Sequence, residues 1–149
     1  MERSSAIPSE LIVDTSFLLP YVGIKVRGLD ESIIERRQIH YPSIMLIELL
    51  AVIVKEAKKA NLPKLPERAV GGLTFILSNV SLIPFEVLDV NLVYEVISKG
   101  WNDIFDAVLY SASVSTGLPL LSMDRTFYEF LRANGFDTGN FVLYQQLGK

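Results

Sequence analysis

The chain has 149 residues, half of them hydrophobic, with 14 basic and 17 acidic side chains and a net charge of -3. That length can bury a real core and reads as one domain over residues 1–149, and the apolar content excludes a disordered chain. The mild acidity excludes a protein that coats nucleic acid by bulk charge, but not a nuclease whose acidic site is neutralised by metal ions.

Met1 to Glu10 has no apolar core flanked by basic residues, so no signal peptide is expected. Leu11-Ile12-Val13 is a short apolar run of the kind that forms a buried parallel strand, and Asp14 follows at its carboxyl end. Asp14 is also a good N-cap for the short helix that Ser16 to Val22 would form. Gly23 and Gly28 bracket a loop. Leu29 to Arg37 reads as a helix with Ile33 and Ile34 buried, and Gln38 to Tyr41 as a short strand. Ser43 would then cap the next helix.

Ile44 to Val54, IMLIELLAVIV, is apolar at every position but Glu48. Its length and lack of turn residues favour a helix, buried or packed against a partner. A carboxylate inside such a helix must be paired, metal-bound or protonated. At helical spacing Glu48 shares its face with Ile44, Met45, Ala51 and Val52, which favours a metal-ligand role. Lys55, Lys58 and Lys59 end this helix and, with Lys64 and Arg68, make the one basic concentration. They are a solvated helix end in one reading and phosphate contacts in the other.

Pro66 and Glu67 open a helix running to Asn79, and Val80 to Phe85 reads as a buried strand. Asp89 caps a helix over Val90–Lys99 that Gly100 ends. The next helix starts near Asp103, with Phe105, Val108, Leu109 and Ala112 as its apolar stripe. Asp103 suits the N-cap. Asp106 lies deeper, with Tyr110 and Ser113 further along, and is the stronger site candidate. After Gly117, Leu118 to Met123 repeats the opening pattern: an apolar strand, then Asp124, then a helix over Thr126–Arg132. Phe141 to Tyr144 reads as an edge strand. Val70–Phe85 and Ala107–Met123 are long uncharged stretches, but Gly, Ser, Asn or Pro breaks both. Both fall short of a membrane span, so a soluble, cytoplasmic protein is expected.

Alternating strands and helices predict an α/β fold: a central, mainly parallel sheet of four to five strands with helices on both faces. Parallel strands point their carboxyl ends to one edge, which brings Asp14 and Asp124 together. Clustered carboxylates repel one another unless a cation holds them. The chain has no cysteine and a single histidine, His40, so a metal site must be built from oxygen. Oxygen ligation selects hard cations, Mg²⁺ or Mn²⁺. Such ions support in-line attack by water on a phosphoryl group.

On LIVDTSFLLPYV, SIMLIELL, DIFDAVLYSAS and GLPLLSMDRTF, taken in that order, the chain resembles the PIN domain family. These are metal-dependent ribonucleases of α/β/α form, and the likeness is greatest to the VapC-type toxins of prokaryotic toxin–antitoxin pairs. The resemblance implies strand order 3-2-1-4-5 and metal ligands Asp14, Glu48, Asp106 and Asp124, with Asp103 as a possible fifth acid. Ser16 and Ser122 match positions where the family often places a polar residue near the metal or its waters. The resemblance also implies homodimers and an antitoxin partner. RNA would be cleaved by metal-activated water, with no histidine base and no covalent intermediate. Arg125 and the Lys55, Lys58 and Lys59 cluster are candidates to hold its backbone. The Arg27–Gln38 segment is a charged insertion with no assigned role. The alternative is a PIN-like scaffold that binds RNA or protein without cleaving. A haloacid-dehalogenase-type phosphatase would need an Asp where Ser16 stands. A receiver domain would need adjacent acids at the first strand end and a lysine after a late strand.

Overall fold

Short apolar runs become strands here because helices cover both faces of a parallel sheet, so neither face has to be polar. The computed structural model describes residues 8–144; most of the leader-free reading of Met1–Glu10 therefore lies outside the described residues. Strands β1 (Glu10–Val13), β2 (Gln38–Pro42), β3 (Ser81–Ile83), β4 (Leu120–Ser122) and β5 (Phe141–Leu143) form one sheet. Its order is β3-β2-β1-β4-β5 and every pairing is parallel. The helices are α1 (Leu46–Lys59), α2 (Glu67–Asn79), α3 (Val90–Ser98), α4 (Ile104–Thr116) and α5 (Arg125–Ala133). Together they make the three-layer α/β/α form and the strand order that the resemblance implies.

The chain lays β2 and β3 on one side of β1 and returns to lay β4 and β5 on the other. Order therefore reverses between β1 and β4, where Val13 pairs with Leu121. Beyond the carboxyl ends of these two strands the topology opens a crevice, the usual ligand position in such sheets. Leu11, Ile12, Val13, Leu120 and Leu121 are buried at the centre of the core. Among the described residues, no helix is long and apolar enough to cross a membrane.

Several local expectations change. Thr15–Val22 winds as a 3₁₀ helix that contains Pro20 and ends at Gly23, whose φ of 87° is left-handed. It packs against α2, where Gly72 is required: a Cβ there would lie 2.1 Å from the Tyr21 carbonyl oxygen. The helix expected over Leu29–Arg37 shrinks to one 3₁₀ turn, Glu31–Ile34. Arg37 explains why. Its guanidinium donates to the Ile33 carbonyl at 2.7 Å, the acceptor that a helix would have offered to the Arg37 amide, while Arg36 turns left-handed at φ 66°. Ser43 does not cap α1; it opens a 3₁₀ turn, Ser43–Met45, that runs straight into the helix. The expected strand over Val80–Phe85 is shorter and lies at an edge, with only Ile83 buried. The helix expected to be apolar all round buries Met45, Leu49 and Ile53, whereas Ile44, Ile47, Leu50 and Val54 are exposed.

Candidate active site

Four elements deliver one acid each to the crevice. Asp14 ends β1, Glu48 sits in the first turn of α1, Asp106 in the first turn of α4, and Asp124 precedes α5. Together with Thr15, Ser16, Leu109 and Met123 these four line an open cleft of about 380 Å³. Asp14, Asp103 and Asp124 also cap: they accept from the amides of Ser16 (3.0 Å), Phe105 (2.9 Å) and Phe127 (2.9 Å). Capping and clustering are thus both true of Asp14 and Asp124. Asp103 does not line the cleft, but its charge bears on Glu48 and Asp106.

Each cleft acid has at least one oxygen committed to the protein. Asp14 is the most enclosed; it accepts from Ser16 N at one oxygen and from Met123 N (3.2 Å) at the other, and Ser122 hydrogen-bonds its side chain. Ser122 is buried beneath the cleft and its hydroxyl also accepts from Asp124 N at 3.1 Å. Glu48 Oε1 accepts from Thr15 at 2.5 Å. With its one hydrogen used there, Thr15 receives from the Tyr41 hydroxyl at 2.7 Å, which the Met45 carbonyl also faces at 3.1 Å. Asp106 Oδ2 accepts from the Trp101 indole at 3.0 Å. Thr15, Tyr41 and Trp101 are the residues that sequence reading missed. Thr15 adjoins Asp14 and was within reach of that reading; Tyr41 and Trp101 carry no local signal. Tyr110 and Ser113 turn elsewhere, to the carbonyls of Asp137 and Leu118.

Burial pushes Asp14 up to about 6, opposed by its three hydrogen bonds, and the Glu48 charge adds to the rise. Asp106 rises to about 7, first from burial and then from the charges of Asp103, Asp124 and Asp14. Burial raises Glu48 too. No cation relieves this crowding: the salt bridges among the described residues are Glu10–His40, Glu56–Lys59 and Glu129–Arg125. His40 is thereby occupied and does not line the cleft. Arg125 begins α5 beside Asp124. Lys55, Lys58 and Lys59 are exposed toward the far end of α1, about 10–17 Å along the axis from Glu48. The structure does not bring these lysines to the acids.

A cation fits this donor set. Glu48 Oε2, Asp106 Oδ1 and Asp124 Oδ2 accept no hydrogen bond from the described residues. All three are carboxylate oxygens, the ligands of hard cations. No three of the described His, Asp or Glu side chains converge tightly enough to grip an ion by themselves. Mg²⁺ keeps several waters and takes few protein ligands, so substrate and water oxygens would have to complete its shell.

Residues 11–132 match the family model described as PIN domain. No curated protein matches the sequence. Among solved structures the chain is similar to PAE2754 from Pyrobaculum aerophilum, with TM-score 0.60 and 19% identity, covering 93% of this chain and 86% of that one. It is also similar to VapBC-5, from the VapBC family of toxin–antitoxin systems of Mycobacterium tuberculosis. There the TM-score is 0.56 and identity 16%, covering 91% of this chain and 99% of that one. At such identities these likenesses speak for the fold.

Proposed function

The chain belongs to the PIN domain family, and from that premise we propose that it is an Mg²⁺- or Mn²⁺-dependent endoribonuclease, the toxin of a toxin–antitoxin pair. One observation carries the reading: Asp14, Glu48, Asp106 and Asp124 come from four separate elements to one open cleft with no cationic partner. A structural cluster would pair such charges or bury fewer of them. PIN domains generally act as nucleases and use divalent metal ions, and these residues would hold one or two.

When bound, a hard divalent cation lowers the pKa of water and offsets the charge that develops on a phosphoryl group during in-line displacement. The chain's own residues orient the reaction. Asp14 is fixed by Ser16, Met123 and Ser122, Glu48 by Thr15, and Asp124 by its cap to α5. In this reading Arg125, exposed beside Asp124 and 3.6 Å from Glu129, would meet an RNA phosphate, and the lysines of α1 would be a more distant backbone contact. The toxin role and an antitoxin partner draw on the VapBC neighbour. A homodimer draws on the exposed apolar side of α1.

The deciding experiment is cleavage of a labelled single-stranded RNA by antitoxin-free protein, with Mg²⁺ or Mn²⁺ against EDTA. Wild type and Asp14→Asn are compared. Metal-dependent cleavage that the substitution abolishes is the expected result. No cleavage by folded wild type under either metal would favour a scaffold that binds without cutting.

A further inference from the structure

The chain has one tryptophan, and its place is specific. Trp101 precedes the cap of α4, outside any helix. Its ring packs 5.0 Å from Phe127 and 5.0 Å from Phe130, both on α5. A buried indole N–H usually finds a hydrogen-bond partner. This one donates to Asp106 Oδ2 at 3.0 Å, a bond to an ionisable carboxylate inside the cleft. Phe127, under the same ring, donates its amide to Asp124. One indole therefore joins Asp106 of α4 to the helix that Asp124 caps.

We propose that Trp101 is a positioning residue: its N–H selects which oxygen of Asp106 faces the cleft, and its ring sets that carboxylate against the helix bearing Asp124. The terminal torsion of an aspartate is broad and roughly two-fold, so an unheld Asp106 would rotate. The indole holds one oxygen and leaves Oδ1 forward as a single-point ligand. The proposal rests on the metal-dependent reading of the cleft. Trp101→Phe tests it most directly, because phenylalanine keeps an aromatic ring against Phe127 and Phe130 but has no donor.

Two measurements on the full chain decide the matter. The first needs no metal. In a ¹H–¹⁵N spectrum in EDTA the single indole N–H gives one resonance, and Asp106→Ala should shift it upfield and speed its exchange with solvent. An unmoved resonance would overturn the proposal. The second is calorimetric titration with Mn²⁺ well below the melting temperature. Partners that orient a ligand typically carry a 10- to 100-fold effect on affinity, and Trp101→Phe should weaken binding by about that factor. Equal affinity in a folded Trp101→Phe would reduce Trp101 to core packing and sink the idea. Wild type that takes up no Mn²⁺ would count against the metal reading instead, and the indole resonance would still judge the Asp106 contact.

Discussion

At the scale of the residue, the cleft stores unfavourable charge. Burial raises Asp14 to about 6 and Asp106 to about 7, above the ordinary 3.8 that each regains on unfolding. Between those values the folded chain holds protons that the unfolded chain has released. The stability these groups lend is complete below pH 4 and is lost as pH climbs through 6 to 7. In EDTA the melting temperature should therefore be lower at pH 8 than at pH 5, and Asp106→Asn should narrow the gap. A metal-free protein as stable at pH 8 as at pH 5 would contradict the burial of these acids. Mg²⁺ should act in the opposite sense and stabilise most at pH 8, where the carboxylates are ionised. At about 100 times its dissociation constant a bound ion adds about 2.7 kcal/mol. In a chain of this size that corresponds to a rise of about 5–10 °C.

At the scale of the element, α2 offers a controlled comparison. Gly71 and Gly72 are adjacent within one helix, where alanine is intrinsically better than glycine by about 1 kcal/mol. A Cβ at Gly71 meets nothing within 4 Å, so Gly71→Ala should stabilise by up to that amount. A Cβ at Gly72 runs into the Tyr21 backbone, which cannot swing aside, and overpacking costs about 1–3 kcal/mol. Gly72→Ala should therefore destabilise, as urea midpoints for the pair will show; the opposite order would mean that the 3₁₀ run and α2 are not in contact. The elements differ just as much in how far they could be read in advance. β1 and β4 were legible because a strand covered on both faces must be continuously apolar, and the acids that close them stand out. Glu48 stood out as the one charge in the apolar run Ile44–Val54. The turn at Glu31–Ile34 was not legible, because the Arg37 side chain, not a backbone preference, takes the helical acceptor. Nor was the grip on the acids, since Thr15–Glu48 and Trp101–Asp106 exist only once the chain has folded.

At the scale of the whole molecule, the exposed side of α1 is an apolar surface that this fold leaves uncovered. Ile47 and Val54 of α1, and Ile44 of the 3₁₀ turn that runs into it, are 60%, 48% and 40% exposed, and with Ala51 they recur at alternating three- and four-residue spacing, the period of a helix seam. Val70, Phe75 and Leu77 of α2 are exposed as well. A stable pair of chains buries about 800 Å² per partner, more than one helix stripe supplies, so both helices would have to contribute. Sedimentation should find a dimer that Ile47→Glu converts to a monomer with an unchanged circular dichroism spectrum. A monomeric wild type at micromolar concentration would remove α1 from consideration as an interface.

The caps described above also bear on how easily such a chain could lose the chemistry proposed for it. Asparagine caps a helix as well as aspartate does. Asp103 and Asp124 each use one oxygen for their cap, and an asparagine keeps that acceptor. Asp14 would give up one of its two amide contacts but would also shed a buried charge. In the genetic code a single transition at the first codon position turns aspartate into asparagine. Under the proposed nuclease reading, silence at this site would lie one nucleotide away and keep the caps, so a lineage of such chains would be expected to shed inert but well-folded descendants readily.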